Sequence, residues 1–240
     1  MAFWISAFSA FTLFALNEIA NPRFSFLGKI LWKGDRSAVA LTFDDGPHPV
    51  YTPKALEILD RYQAKATFFV IGRHLEEHGS FVSAASRAGH LIGNHTYHHF
   101  HTMNFFSAKK IRQEILDCQA AVERWTGYRP RFYRQPAGFR NPRIFPILDE
   151  LGMRMVGWQV RVFDTLRKDP GGIACRILKK ARPGGVILLH DGAERSGDRD
   201  ATLRALPEIL KGLKDRGLEF FTLDKLFGMS KEIRTVPKVS

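Results

Sequence analysis

From residue 37 onward, short apolar runs alternate with amphipathic stretches, and this alternation constrains the fold more than any other feature. Val39–Phe43, Ala66–Ile71, His90–Ile92, Arg131–Tyr133, Met155–Val160, Gly185–Leu189 and Glu219–Thr222 read as strands. Between them, Pro53–Tyr62, His74–Ala88, Ser107–Trp125, Arg143–Leu151, Gly172–Ala181 and Thr202–Arg216 read as helices, with Ser107 placed to cap its helix. Repeated strand–helix alternation implies parallel strands joined by helical crossovers. About seven such units in roughly 190 residues fit an irregular α/β, or (β/α), barrel. The expected organisation is one barrel domain over residues 37–228, preceded by an apolar lead (1–36) and followed by a polar, basic tail (229–240).

In α/β barrels, functional groups come from the loops at the C-terminal ends of the strands. Here those loops begin with Asp44-Asp45-Gly46-Pro47, then Gly93-Asn94-His95-Thr96-Tyr97-His98-His99, then Arg134-Gln135-Pro136-Ala137-Gly138, then Asp164, then His190-Asp191. Adjacent carboxylates at the end of a buried strand resist desolvation, and a cation relieves one of them; Asp-Gly-Pro is also ordinary turn chemistry. The i, i+4 spacing of His95 and His99 would put both imidazoles on one face of a helical turn. Two imidazoles and a carboxylate with open positions suit Zn²⁺ or a similar divalent ion. His98 and His101 offer other pairings, and a histidine-rich surface loop has the same composition. His190 ends an apolar strand, a place where a satisfied core histidine also occurs; Asp164 or Asp191 could raise its pKa toward that of a general acid. Arg134 needs a carboxylate if buried, and Asp44 is one candidate; a surface ion pair is the other.

Charge and cysteine usage exclude several classes. Lys and Arg number 36 against 24 Asp and Glu, a formal charge of +12. The basic residues are scattered, without the dense basic helix or tail of a nucleic-acid binder, so a diffuse solvated surface is expected rather than a nucleic-acid partner, and the charge suits anionic envelope polymers or lipid headgroups. Two cysteines, Cys118 and Cys175, exclude a disulfide framework and a Cys-rich zinc module. The apolar stretch Ala2–Leu16, as a helix, would span roughly 22 Å, short of the ~30 Å hydrocarbon core. No Lys or Arg precedes it, as a secretory signal would require. A signal, an interfacial anchor touching the membrane through residues 2–16, and a packed helix all remain open.

Together these segments resemble the polysaccharide deacetylases, the NodB-like domain of carbohydrate esterase family 4. The resemblance rests on Thr42-Phe43-Asp44-Asp45-Gly46-Pro47, the His95-Thr96-x-x-His99 pair, Arg134-x-Pro136-x-Gly138, Asp164 and Leu188-Leu189-His190-Asp191. Lys65-Ala66-Thr67-Phe68-Phe69 and Gly89–His95 support it. It runs from about Ala38 to Leu226, and five motifs in order are highly specific.

The resemblance implies an irregular barrel that hydrolyses linear, non-peptide amides: the N-acetyl groups of N-acetylglucosamine-containing glycans of the peptidoglycan or chitooligosaccharide type. It implies that Asp45, His95 and His99 hold a divalent metal, usually Zn²⁺, with Co²⁺ or others able to serve. A metal-bound water would attack the acetamide while Asp44 accepts its proton, and His190 would protonate the departing amine. Arg134 would orient Asp44, Asp164 would tune His190, and the N–H of Ala137 would stabilise the oxyanion. Leu188 would line the pocket for the acetyl methyl, Thr96 would support the ligand turn, and Pro136, Ala137, Gly138 and Trp158 would border the substrate.

This chain has Ala137 and Thr165 where the family commonly has aromatic residues, so the groove walls are altered; Trp158 restores some aromatic surface. The competing readings are an O-acetyl esterase acting on polysaccharide such as xylan, and a non-catalytic carbohydrate-binding relative. A monomer at the cell envelope or membrane is expected, with a cytoplasmic location the alternative.

Overall fold

A computed structural model describes residues 28–138, 142–192 and 198–233. The apolar stretch 2–16 and the last residues of the tail, 234–240, lie outside the described residues. Among the described residues one parallel sheet has nine strands: β1 Ile30–Leu31, β2 Ala38–Asp44, β3 Ala66–Val70, β4 Leu91–Asn94, β5 Phe132–Tyr133, β6 Arg154–Val156, β7 Val160–Arg161, β8 Val186–His190 and β9 Glu219–Phe220. The order is β1-β6-β5-β4-β3-β2-β8-β7, with β9 beside the start of β2. Every residue of β2, β3 and β8 is buried, which explains why these segments read as largely apolar runs without polar alternation.

Helices α1 (Tyr51–Arg61), α2 (Leu75–Arg87), α3 (Ala108–Thr126), α4 (Ile144–Glu150), α5 (Pro170–Lys180) and α6 (Asp200–Lys214) separate the strands, and α7 (Leu223–Phe227) follows β9. The Ser107 hydroxyl caps α3 by accepting the Lys110 N–H, and Gly127, at φ +76°, ends it in the left-handed region. A large apolar cluster packs β2, β3 and β8 against the crossover helices. A smaller one joins Ile111, Ile115, Tyr133, Ile144 and Leu148 beneath β5 and β6.

The sheet curls, and the segment following β1 spans the seam. Gly157 N–H donates to Leu31 O (2.9 Å), Val186 N–H to Trp32 O (3.2 Å) and Gly34 N–H to Gly184 O (2.8 Å). Gly184 has φ +79°, and a Cβ there would collide with the Gly34 carbonyl, so the closure requires glycine at that point.

The seam also corrects the expectation of about seven strands. Met155–Val160 does not form one strand: β6 pairs with β5 and β1 on one side, β7 with β8 on the other. Gly157-Trp158-Gln159 crosses between them, and Gln159 N–H reaches Val186 O (2.7 Å). β1, β7 and β9 hold two residues each, too few to show a sequence period. Register is what positions the site: Asp44 pairs with His190 across β2 and β8, and Asn94 with Tyr133 across β4 and β5. The C-terminal ends of the central strands therefore lie level.

Candidate active site

A cleft of about 260 Å³ opens over those strand ends. At its floor, one ligand atom from each of Asp45, His95 and His99 lies within 4.8 Å of the others, and all three residues are buried. Asp45 Oδ1 is 3.3 Å from His99 Nε2 and 3.5 Å from His95 Nε2. The His95 Nδ1–H donates to the Arg134 carbonyl (2.8 Å), which orients the ring and turns Nε2 to the cluster. Three N and O donors aimed at one point, with open space beside them, fit a divalent ion. Burial opposes ionisation of Asp45, but the His95 ring bond and the charges of His190, His99 and His95 hold its carboxyl well below the usual range.

His95 and His99 do not share a helical turn. Thr96 (φ +68°) and His99 (φ +60°) take left-handed conformations in a tight loop. Two bonds close that loop: Asn94 Oδ1 accepts the Thr96 N–H (2.9 Å), and Thr96 Oγ1 accepts the His99 N–H (3.1 Å). The loop still brings the two rings to a centroid distance of 4.7 Å. His98 is turned away, its backbone N–H and its Nδ1 both on Glu114 at 2.9 Å. His101 borders the cleft beside His99. Asp45 (φ +73°) and Ala137 (φ +55°) are also left-handed. Such non-glycine conformations cost of order 1 kcal/mol or more each, and they persist where surrounding bonds over-determine them.

Asp44 sits beside the cluster on a buried guanidinium. Arg134 Nη1 donates to Asp44 Oδ1 (2.7 Å) and to Thr42 Oγ1 (2.7 Å), and Nη2 donates to Gly157 O (3.0 Å). The Phe69 ring lies 4.2 Å from the guanidinium carbon. Asp44 Oδ2 is thereby directed toward the cluster, 3.8 Å from His95 Nε2.

Opposite Asp44, His190 is gripped by Asp164, which accepts both Nδ1–H and the backbone N–H at 2.9 Å. The Thr202 hydroxyl adds a bond to the same carboxylate (3.1 Å). Burial disfavours the imidazolium, yet the Asp164 charge and hydrogen bond, with help from Asp45 and Asp44, push the His190 pKa up to about 9. Asp191, the other candidate partner, points elsewhere: its Oδ2 accepts the Thr52 hydroxyl at 2.6 Å. Burial and the Asp45 charge raise its pKa to about 7, against the Thr52 bond.

Ala137, Gly138, Trp158 and Leu188 line the cleft, and Pro136 is buried in the turn that carries the first two. Sequence reading passed over three further lining residues: Gln135, Arg161 and Arg199. Arg161 ends β7, so the strand-end rule would have found it had the split of Met155–Val160 been visible.

Comparison with known proteins gives concordant matches. Residues 33–156 match the polysaccharide deacetylase family. The chain is 36% identical over 203 residues to a peptidoglycan-N-acetylglucosamine deacetylase of Bacillus cereus, covering 83% of this chain and 93% of that one. It is 35% identical over 192 residues to a chitooligosaccharide deacetylase of Azorhizobium caulinodans, covering 76% and 91%. The crystal structure of the Bc1960 peptidoglycan N-acetylglucosamine deacetylase, bound to 4-naphthalen-1-yl-N-oxidanyl-benzamide, superposes with a TM-score of 0.81 at 34% identity, covering 84% and 94%.

Proposed function

The chain belongs to the polysaccharide deacetylase family, and from that premise we propose that it hydrolyses the N-acetyl groups of N-acetylglucosamine units in peptidoglycan- or chitooligosaccharide-type glycans. The observation that carries this reading is the register match of Asp44 with His190 beside the Asp45–His95–His99 cluster. It supports reading Asp44 as the base and His190 as the acid beside one metal-binding point.

Asp45, His95 and His99 would hold a divalent ion, zinc by the donor set, which would supply Lewis acidity to the acetyl carbonyl and lower the pKa of nearby water. Asp44, with one oxygen held by Arg134, uses the other to take the proton of the attacking water. The backbone N–H of Ala137 donates to the oxygen that becomes negative in the tetrahedral species. His190, with Nδ1 on Asp164, presents Nε2 to the departing nitrogen. An amine leaves from the tetrahedral species only once protonated, so an imidazole with a pKa near 9 suits amide cleavage. Leu188 borders the cleft where the acetyl methyl would rest, with Gly138 and Trp158 alongside the sugar.

The same proposal places catalysis in residues 37–228, with the strand at Ile30–Leu31 completing the sheet. It places the enzyme at the cell envelope, as a monomer acting on acetylated amino-sugar polymer, with residues 2–16 touching the membrane surface. Among the described residues no helix is long and apolar enough to cross a membrane.

The test is acetate release from N-acetylated chitooligosaccharides, peptidoglycan and acetylxylan, with and without chelator. Metal-dependent release from the first two is expected. Release from acetylxylan alone would make it an O-acetyl esterase. No release from any of them, by protein shown to hold metal, would leave a binding protein.

A further inference from the structure

Arg161 ends β7 in register with Leu188 and lines the same cleft. Its guanidinium carbon lies 4.5 Å from the Phe163 ring centroid and 5.4 Å from that of Trp158. Trp158 is backed by Gly138, which has φ +74° and where any Cβ would collide with the indole. The three aromatic and cationic side chains thus form a braced wall.

Stacking occupies the faces of a guanidinium and leaves its in-plane N–H donors for an acceptor. Arg161 Nε is buried with no hydrogen-bond partner, and among the described residues no carboxylate pairs with this side chain. A buried charged donor without an acceptor is costly. The two carboxylates on the floor are already committed, Asp44 to Arg134 and Asp45 to the cluster with His95 and His99. Arg199 adds a second guanidinium to the cleft, its Nε donating to Gly192 O (2.7 Å). Among the described residues, the cleft therefore carries guanidinium charge that no carboxylate pairs with.

We propose that Arg161 recognises an oxyanion on the substrate, a carboxylate or phosphate substituent on the sugar adjoining the N-acetyl group being cleaved, so that acidic glycans are preferred over neutral ones. This rests on reading the cleft as the glycan site. In-plane N–H donors held by two rings match the flat fork of a carboxylate or two phosphate oxygens.

The experiment compares three substrates of equal length: neutral chitotetraose, an oligomer alternating N-acetylglucosamine with N-acetylmuramic acid bearing its free lactyl carboxylate, and chitotetraose 1-phosphate. Wild-type, Arg161→Gln and Arg161→Lys enzymes are assayed on each. In Arg161→Gln the ratio of kcat/KM on the anionic substrate to that on the neutral one should fall about tenfold, through KM. Arg161→Lys should keep part of the preference, and added salt should weaken it in the wild type. A fall with only one anionic substrate identifies the source of the oxyanion. Equal losses on neutral and anionic substrates, or no loss on any, would overturn the proposal. Calorimetric binding of the carboxylated oligomer to wild-type and Arg161→Gln protein reads the subsite without turnover. Weaker binding by the variant supports it and equal binding overturns it, whether or not acetate is released.

Discussion

The floor of the cleft and its Trp158–Arg161–Phe163 wall are built on different principles. On the floor, Asp44 and His190 each have a dedicated charged partner, and the backbone is forced into left-handed conformations to aim the groups. On the wall, aromatic faces hold a guanidinium that no carboxylate among the described residues pairs with, and Phe163 is 48% exposed. A floor in which the protein supplies the partners fixes chemistry. A wall that leaves a donor for the ligand fixes selectivity. Changes on the floor should thus remove turnover or stability, whereas changes on the wall should move KM.

The largest effect is expected at Asp44. Asp44→Asn should lower kcat by between about 100- and 10,000-fold, as for loss of a general base. Its metal content, read by elemental analysis, should stay near that of the wild type. Arg134→Met comes next, because it leaves the buried Asp44 carboxylate unpaired. Breaking such a pair costs about 3–5 kcal/mol, visible as a lowered midpoint in denaturant.

Asp164→Asn should cost roughly 10- to 100-fold in kcat, the usual scale for loss of a residue that orients a site group. It also has a pH signature. Asp164 raises the His190 pKa to about 9, so the acid should remain protonated up to that pH in the wild type. In the variant the alkaline limb of the kcat profile should move to lower pH. The stability that the pair contributes is complete below the ordinary histidine value of 6.5 and is lost as pH rises through about 9. The Tm gap between wild type and variant should therefore be widest near pH 6 and narrow toward pH 10. The smallest change is on the wall. Phe163→Ala should leave stability within about 0.5 kcal/mol, since the ring is half exposed. It should raise KM for anionic glycans about two- to fivefold by loosening Arg161. A kcat loss equal to that of Asp164→Asn would erase the distinction between floor and wall.

The same division marks what could be read from the sequence. Asp44-Asp45, His95, His99, Arg134 and His190 follow apolar runs directly, and the strand-end rule reaches them without a structure. Spacing alone leaves both Asp164 and Asp191 open as partner of His190; the resemblance implies Asp164, and the fold shows Asp191 turned to Thr52 instead. The loop that replaces a helical turn at His95–His99 was not legible, since it depends on two side chains, Asn94 and Thr96, bonding to backbone. Arg161 was hidden because a strand of two residues has no period, and the seam that splits Met155–Val160 is a long-range contact with Leu31 and Val186.

The most direct measurement is acetate release from chitotetraose alongside metal content, made on the same samples of wild-type, Asp44→Asn and His95→Ala protein. Wild type should bind metal and release acetate, Asp44→Asn should bind metal and release almost none, and His95→Ala should lose metal and activity together. Full turnover by metal-loaded Asp44→Asn, or full metal content in His95→Ala, would contradict the division of the floor into a base and a metal cluster.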